Sequence, residues 1–306
     1  MIGYMCAYLR YYYPHEFITA YLNNAANEDD LSAGCSLAKD YGIRMLPPQF
    51  GLSTDEYVFD KEKNVIAMGV SSIKFLNKGA AKQLYSLGKK KYTSFIDLLY
   101  EIANSTGVDA RKLDVLIKVG YFSKFGNIST LLGIVEAFDY FKQGDAKKVK
   151  KDSDCPYMTS VKKFSTDIGK SGKESKSYNI TDCRALLLDI EREIINAELP
   201  DIPWAQRVQW QVEFTGSILH TGDAKDRWYV YIKELYPARR KSDNKQFGYN
   251  VVLQSLGSGK QSKMTVFNKD FNRCPFDVGN IIKIRNPGGW ERKGQYFNLT
   301  GYDIIG

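Results

Sequence analysis

Along the first 40 residues, aromatic and apolar positions recur at helical spacing: Tyr4, Tyr8, Tyr11 and Tyr12, then Phe17 to Leu22 beyond Pro14. This predicts helices broken at Pro14, followed by an acidic turn at Asn27–Asp30 and a further short helix to Lys39. Gly42 ends that helix, and Pro47-Pro48 forces an extended exit. Val58-Phe59 and Val65–Met68 read as two short strands around the charged turn Asp60–Asn64. Compact helices are expected from Gly69 to about Lys142, and a Lys/Ser/Gly-rich mobile linker over 142–178. Arg184–Ala197 is amphipathic, with Leu187, Ile190, Ile194 and Ile195 on one side; after a break at Asp201-Ile-Pro-Trp, a short helix runs to about Phe214.

From Arg227 the period changes to alternation. The expected strands are Trp228–Tyr236, Phe247–Leu253, Lys263–Phe267, Ile281–Ile284 and Gln295–Tyr302, with a small helix at Lys269–Asn272 between the third and fourth. Five short strands with that helix suggest an OB-type barrel. The expected fold class is therefore multidomain α+β: a mostly α domain with a small β-hairpin, a helical linker, and a five-stranded OB-type β-barrel. The expected divisions are 1–56, 57–141, 142–178, 179–226 and 227–306.

Composition narrows the function classes. In 306 residues, 43% hydrophobic and 25% charged content is that of an ordinary globular chain. No apolar run approaches the roughly 18 to 20 residues that span a bilayer. The N-terminus lacks the order of a signal peptide, so the expectation is a cytoplasmic protein with no membrane partner. Five scattered cysteines, none in C-x-x-C spacing, and only His15 and His220 as imidazoles argue against a zinc site or a disulfide framework. No residues build a nucleophilic triad. Asp152 and Asp154 have the spacing of a carboxylate pair but sit in the lysine-rich stretch. Gly257-Ser-Gly-Lys260 lacks the flanking residues of a phosphate loop. The net charge of +8 is compatible with a polyanionic partner, and Lys142–Lys176 alone carries ten lysines against five acids.

Several short signals fall in one fixed order: Ala7-Tyr-Leu-Arg10, Tyr13-Pro-His-Glu-Phe17, Gly42-Ile-Arg-Met-Leu-Pro-Pro48, Gly69-Val-Ser-Ser-Ile-Lys74 and Leu116-Ile-Lys-Val-Gly-Tyr-Phe122. In that order they resemble the end of the fingers and the following helix-hairpin-helix region of the bacterial replicative DNA polymerase III alpha subunit, family C. The likeness extends, more weakly, to Trp210–Ile218 and the barrel, which resemble the approach to that family's OB domain.

The resemblance implies a non-catalytic DNA-binding portion of such a polymerase, gripping primer–template duplex through phosphates and single-stranded template through the OB fold. In the first hairpin, Phe75–Gly79, Phe75 and Asn77 stand where the family usually has glycines. The duplex-binding candidates are Lys74, Lys78, Gly79 and Lys82, then Arg111, Lys112, Lys118, Gly120 and Lys124. The single-strand candidates are Arg239, Arg240, Lys241 and Lys245 in the first barrel loop, with Trp290, Arg292 and Lys293 in the last. The plain alternative for the lysines is a solvated surface, and for the first hairpin a purely structural turn. The family's palm carboxylates, which bind Mg²⁺, have no counterpart here, so no catalytic residue, cofactor or metal is expected in this chain. The sliding clamp and the rest of the polymerase are partners the resemblance implies, although Gln143 opens no clamp-binding peptide. The competing reading is a stand-alone nucleic-acid-binding accessory protein.

Overall fold

A computed structural model describes residues 2–142, 148–168, 174–218, 228–293 and 296–305. The elements run α1 (Ile2–Tyr12), α2 (Pro14–Asn23), α3 (Glu28–Asp40), β1 (Arg44–Leu46), β2 (Val58–Asp60), β3 (Val65–Ala67), α4 (Lys78–Gly88), α5 (Phe95–Ser105), α6 (Ala110–Lys118) and α7 (Ile128–Lys142). Then come β4 (Lys148–Lys150), α8 (Met158–Lys163), β5 (Ser165–Ile168), β6 (Glu174–Ile180), α9 (Cys183–Asn196) and α10 (Trp204–Thr215). The chain ends with β7 (Tyr229–Arg239), β8 (Gln246–Ser255), β9 (Gln261–Phe267), α11 (Asn268–Arg273), β10 (Ile281–Ile284), β11 (Trp290–Lys293), β12 (Tyr296–Leu299) and β13 (Tyr302–Ile304). Two compact units result: one of residues 1–47, 56–74 and 203–306, the other of 48–55 and 75–202.

In the first unit, Pro14 opens α2 as its first residue, where a missing N–H is harmless. The Asn27 side chain caps α3 by accepting from Asp30 N–H at 2.9 Å. Ile18, Leu22, Cys35 and Ala38 from these helices close over Met45 and Ile66 of a sheet ordered β1-β3-β2, and over Met68 just beyond β3. The expected β2–β3 hairpin is present, and Arg44–Leu46 adds a parallel strand beside β3. The second sheet of this unit has seven strands, ordered β11-β12-β9-β8-β7-β10-β13. Only Thr300 and Gly301 separate β12 from β13, which lie near opposite ends of that order, so the sheet has to curl back on itself. Its inner face buries Val230, Ile232, Val251, Leu253, Val266, Ile282 and Leu299, and α10 packs Ala205 and Val208 against Tyr231 and Ile281. Gln254 on β8 donates to Ser32 Oγ of α3 at 2.8 Å, tying the curled sheet to the N-terminal helices.

The second unit is mostly helical and also carries the small sheet formed by β4, β5 and β6. Leu84, Leu87, Phe95, Leu98, Leu99, Leu116, Leu131 and Phe138 are buried, and Leu186, Leu187, Ile190 and Ile194 of α9 close over α5 and α7. Phe50, Phe95, Tyr121, Phe122 and Phe125 form a connected aromatic cluster with ring separations of 4.9–6.1 Å.

Several expectations change. The last sheet has seven strands rather than the expected five, because the expected final strand divides into β12 and β13 and Trp290–Lys293 adds β11. The mobile linker expected over 142–178 contains α8 and a three-stranded sheet ordered β4-β6-β5; Val149, Val161 and Ile180 supply its buried side chains. Few apolar residues suffice: Val149 and Ile180 come from β4 and β6 and Val161 from α8, while Ile168 of β5 is exposed. The units also cut across the expected domains: the break falls between Lys74 and Phe75, α9 joins the second unit and α10 the first. Finally, Ile195, expected on the apolar side of α9, is 46% exposed, and buried Glu191 takes a place on that side instead.

Candidate nucleic-acid interface

At the first hairpin the backbone keeps the geometry that glycine would supply, without the glycine. Phe75 has φ +69°, a left-handed conformation that costs a non-glycine residue about 1 kcal/mol. Leu76 is buried, and Asn77 caps α4, its Oδ1 accepting from Ala80 N–H at 2.8 Å. Lys78 and Gly79 therefore lie in the first turn of α4 rather than in the hairpin itself. Gly79 meets only its own cap within 4 Å of where a Cβ would stand, so the backbone there is open to close approach. The helix N-terminus carries partial positive charge, to which exposed Lys78 and Lys82 add. Lys82 is 3.8 Å from Asp55 but remains mostly exposed. From α6, the Arg111 guanidinium stacks on the exposed Phe75 ring at 3.6 Å. Lys74, placed with these residues by the sequence, belongs to the other unit, where its N–H donates to the Phe214 carbonyl at 2.8 Å.

The second hairpin joins α6 to α7. Gly120, at φ +80°, ends α6 in a Schellman arrangement: its N–H donates to the Ile117 carbonyl at 2.9 Å, and Tyr121 N–H to the Leu116 carbonyl at 3.0 Å. Tyr121 and Leu116 are both buried beneath the turn. A Cβ at Gly120 would meet nothing within 4 Å, so Gly120→Ala should cost only backbone strain, about 1–2 kcal/mol. Chemical denaturation checks this; a loss above 3 kcal/mol would mean that the turn tolerates no side chain. Asn127 caps α7 by accepting from Thr130 N–H at 2.8 Å.

The cations of this region differ in availability. Lys112 turns back onto its own helix start, pairing with Asp109 at 2.8 Å and donating to the Gly107 carbonyl at 2.9 Å. Lys118 pairs with Asp114 at 2.7 Å. Lys124 is exposed, its ammonium 4.4 Å from the Phe50 ring centre, and partial burial pulls its pKa below the ordinary lysine value. Arg111 and Lys124 thus present charge from aromatic platforms, whereas Lys112 and Lys118 are held by carboxylates.

In the curled sheet, Arg239, Arg240, Lys241 and Lys245 gather at the β7–β8 turn, all exposed. The turn is closed by Arg240 N–H to the Lys245 carbonyl at 3.0 Å and by Asn244 at φ +54°. Trp290, Arg292 and Lys293 lie on a strand rather than in a loop: β11 pairs with β12, Trp290 opposite Leu299 and Arg292 opposite Phe297. Antiparallel partners share a face. Trp290 (39% exposed) and Phe297 (37% exposed) have ring centres 5.6 Å apart, and the Arg292 guanidinium lies 5.7 Å from the Phe297 ring. Phe297 was missed in the sequence. Its signal is the alternation of Phe297 with Leu299, which puts an aromatic ring on the Trp290 face.

Among the described residues, no three His, Cys, Asp or Glu side chains come together to hold a metal ion. No helix among them is long and apolar enough to cross a membrane. His220 and Gln143 lie outside the described residues.

Residues 42–130 match the helix-hairpin-helix motif family. The chain is 31% identical over 130 residues to DNA polymerase III subunit alpha of Ureaplasma parvum serovar 3, covering 41% of this chain and 13% of that protein. Against the Bacillus subtilis subunit it is 32% identical over 139 residues, 44% of this chain and 12% of the relative. Against the Thermus aquaticus subunit it is 28% identical over 139 residues, 44% and 11%. The chain thus spans about an eighth or less of the length of these relatives. The likeness to polymerase III alpha subunits carried by the sequence motifs holds over the helix-hairpin-helix region.

Proposed function

We propose that this chain is a DNA-binding portion of a replicative polymerase of the polymerase III alpha type, one that grips nucleic acid and carries no part of the nucleotidyl transfer. The observation that carries the reading is the helix-hairpin-helix match over 42–130 together with the two hairpins inside it, which put an open helix start at Lys78-Gly79 and exposed Arg111 and Lys124 on one unit. Helix starts and guanidinium or ammonium groups recognise phosphate oxygens without reading bases, which suits an enzyme that must hold any sequence. Arg111, stacked on Phe75, supplies charge at a hairpin that has lost its glycines.

The curled sheet serves as an OB-type module for single-stranded template. Three features support this. The β7-β8-β9 meander is followed by α11 before β10; β9 and β12 pair in parallel; and β10 flanks β7. Taking β12 and β13 as one bent strand gives a closed ring of five, with β11 as an added edge. The basic β7–β8 turn and the Trp290–Phe297 face provide charge and stacking surfaces of the kind OB folds use. The remaining polymerase polypeptide and a sliding clamp are the further partners this role entails.

Fluorescence anisotropy on the full chain tests the reading, with labelled duplex, primer–template and single-stranded DNA at two salt concentrations. Binding to duplex should weaken steeply with salt, and Arg111→Glu with Lys124→Glu should weaken duplex binding more than single-strand binding. Absence of salt-sensitive binding to all three DNAs would sink the proposal.

A further inference from the structure

The lysine-rich stretch after α7 lies outside the helix-hairpin-helix match, and none of the candidate binding residues comes from it. Its fold gives its charge a direction. In β4, Val149 is 2% exposed and packs inward, while Lys148 and Lys150 are exposed. Alternation along a strand puts both lysines on the opposite, outer face, about 6.8 Å apart. Register adds neighbours on that face: Lys148 lies opposite Asn179, Lys150 opposite Ser177, and Asn179 opposite Thr166 of β5. Two cations therefore stand beside a hydroxyl, an amide and a second hydroxyl.

The nearby acids find partners other than Lys148 and Lys150, or lie beyond the strand. Lys151 pairs with both Asp167 (2.9 Å) and Glu174 (2.5 Å), which leaves one carboxylate charge of that group over but draws both acids to Lys151 rather than to Lys148 or Lys150. Asp152 and Asp154 lie in the turn beyond the strand, and Lys163 pairs with Asp189 of α9. No ion pair engages Lys148 or Lys150 among the described residues. Between Lys150 and Ser177 the surface opens into a cavity of about 590 Å³, lined also by Lys151, Asp152, Glu174, Ser175 and Lys176, three lysines in all against two acids.

We propose that the outer face of the β4-β6-β5 sheet, centred on Lys148 and Lys150, is a further binding surface for the phosphodiester backbone of a nucleic acid. Ammonium groups spaced along a strand reach successive phosphates, and Ser177, Asn179 and Thr166 offer the hydroxyl and amide donors that supplement charge in sequence-independent contacts. The choice of nucleic acid among polyanions rests on the DNA-binding reading above; the surface itself does not.

The test is a salt titration of the full chain against a labelled 20-base-pair duplex and a 20-nucleotide single strand. Lys148→Glu/Lys150→Glu is compared with Lys61→Glu/Lys269→Glu, which changes net charge equally at exposed positions elsewhere, and with Arg111→Glu/Lys124→Glu. The first pair should weaken binding at least tenfold at low salt and reduce the slope of log K against log salt by about 2. The control pair should change affinity less than threefold. A slope like that of the parent, or an equal loss in the control pair, overturns the proposal. Loss only in the hairpin pair would leave the polymerase-type grip standing and remove this surface. Loss only in the β4 pair would do the reverse. Loss on both DNAs marks a backbone contact common to them, and loss on one alone assigns the surface to that form. Unchanged melting temperatures for the variants exclude unfolding as the cause.

Discussion

Replacing Glu191 with alanine should destabilise the second unit by about 3 kcal/mol, whereas glutamine should cost less than about 1 kcal/mol. Glu191 is 4% exposed on α9 and reaches the start of α5, 96 residues earlier in the chain, where its Oε1 accepts the Phe95 N–H at 2.6 Å. Ile96 N–H and the Ser94 side chain also bond to it. The first N–H groups of a helix have no partner within the helix, and Ser94 already serves the Asp97 N–H. Alanine would leave buried donors unpaired, a penalty of about 1–3 kcal/mol for the first of them, and would remove an anion from the positive end of α5. Glutamine keeps an acceptor oxygen in place.

The pH dependence has a definite sign. Burial pushes the Glu191 carboxyl above the ordinary glutamate value, and the hydrogen bonds that favour its charged form only partly oppose this. The native state therefore holds this proton more tightly than the unfolded chain. Its contribution is fully present below the unfolded pKa and is lost as pH rises through the folded value. Glutamine does not titrate, so the stability of Glu191→Gln relative to the parent should increase as pH rises from the ordinary carboxylate range towards neutrality. Denaturant titrations at several pH values read this directly. A difference that stays constant would show that folding does not change this carboxyl's proton affinity, and one that changes the other way would show that the carboxylate is stabilised in its ionised form.

Glu191 also marks the boundary of what the sequence reveals. The helix around it was legible from Leu187, Ile190 and Ile194. A carboxylate one turn from Leu187 and three residues before Ile194 is a visible anomaly, but nothing local says which distant N–H groups it serves. Breaks read well because their causes lie within a few residues: Pro14 between α1 and α2, Gly42 after α3, Gly120 after α6. Strands with dense alternation, such as β7 and β8, were found for the same reason. β1 and β4 were not, because three residues with one or two apolar positions carry almost no periodic signal, and their pairing is decided elsewhere in the chain. Among the candidate cations, charge and position were legible but availability was not. Lys112 and Arg111 are neighbours in sequence, yet one folds back onto Asp109 and the other stands on Phe75.

The Trp290–Phe297 face offers the clearest separation of stacking from charge. Trp290→Ala with Phe297→Ala should lower single-strand affinity about 10- to 100-fold, since stacking one base on an aromatic ring contributes about 1–3 kcal/mol. Both rings lie on an edge hairpin in which, among the described residues, β11 pairs only with β12, and both are more than a third exposed, so their removal opens no cavity in the core of the curled sheet. Unfolding midpoints should therefore move little. The salt dependence carries the distinction. Neither ring neutralises a phosphate, so the slope of log K against log salt should match the parent even as affinity falls. Reversing charge at Arg239 and Arg240 should instead flatten that slope. Duplex affinity should be nearly unchanged in the aromatic variant, because paired bases are not free to stack on a protein ring. If single-strand and duplex affinities fell together, Trp290 and Phe297 would be acting through the shape of the hairpin rather than as a surface for bases. If neither changed, the single strand would be held by the basic β7–β8 turn alone.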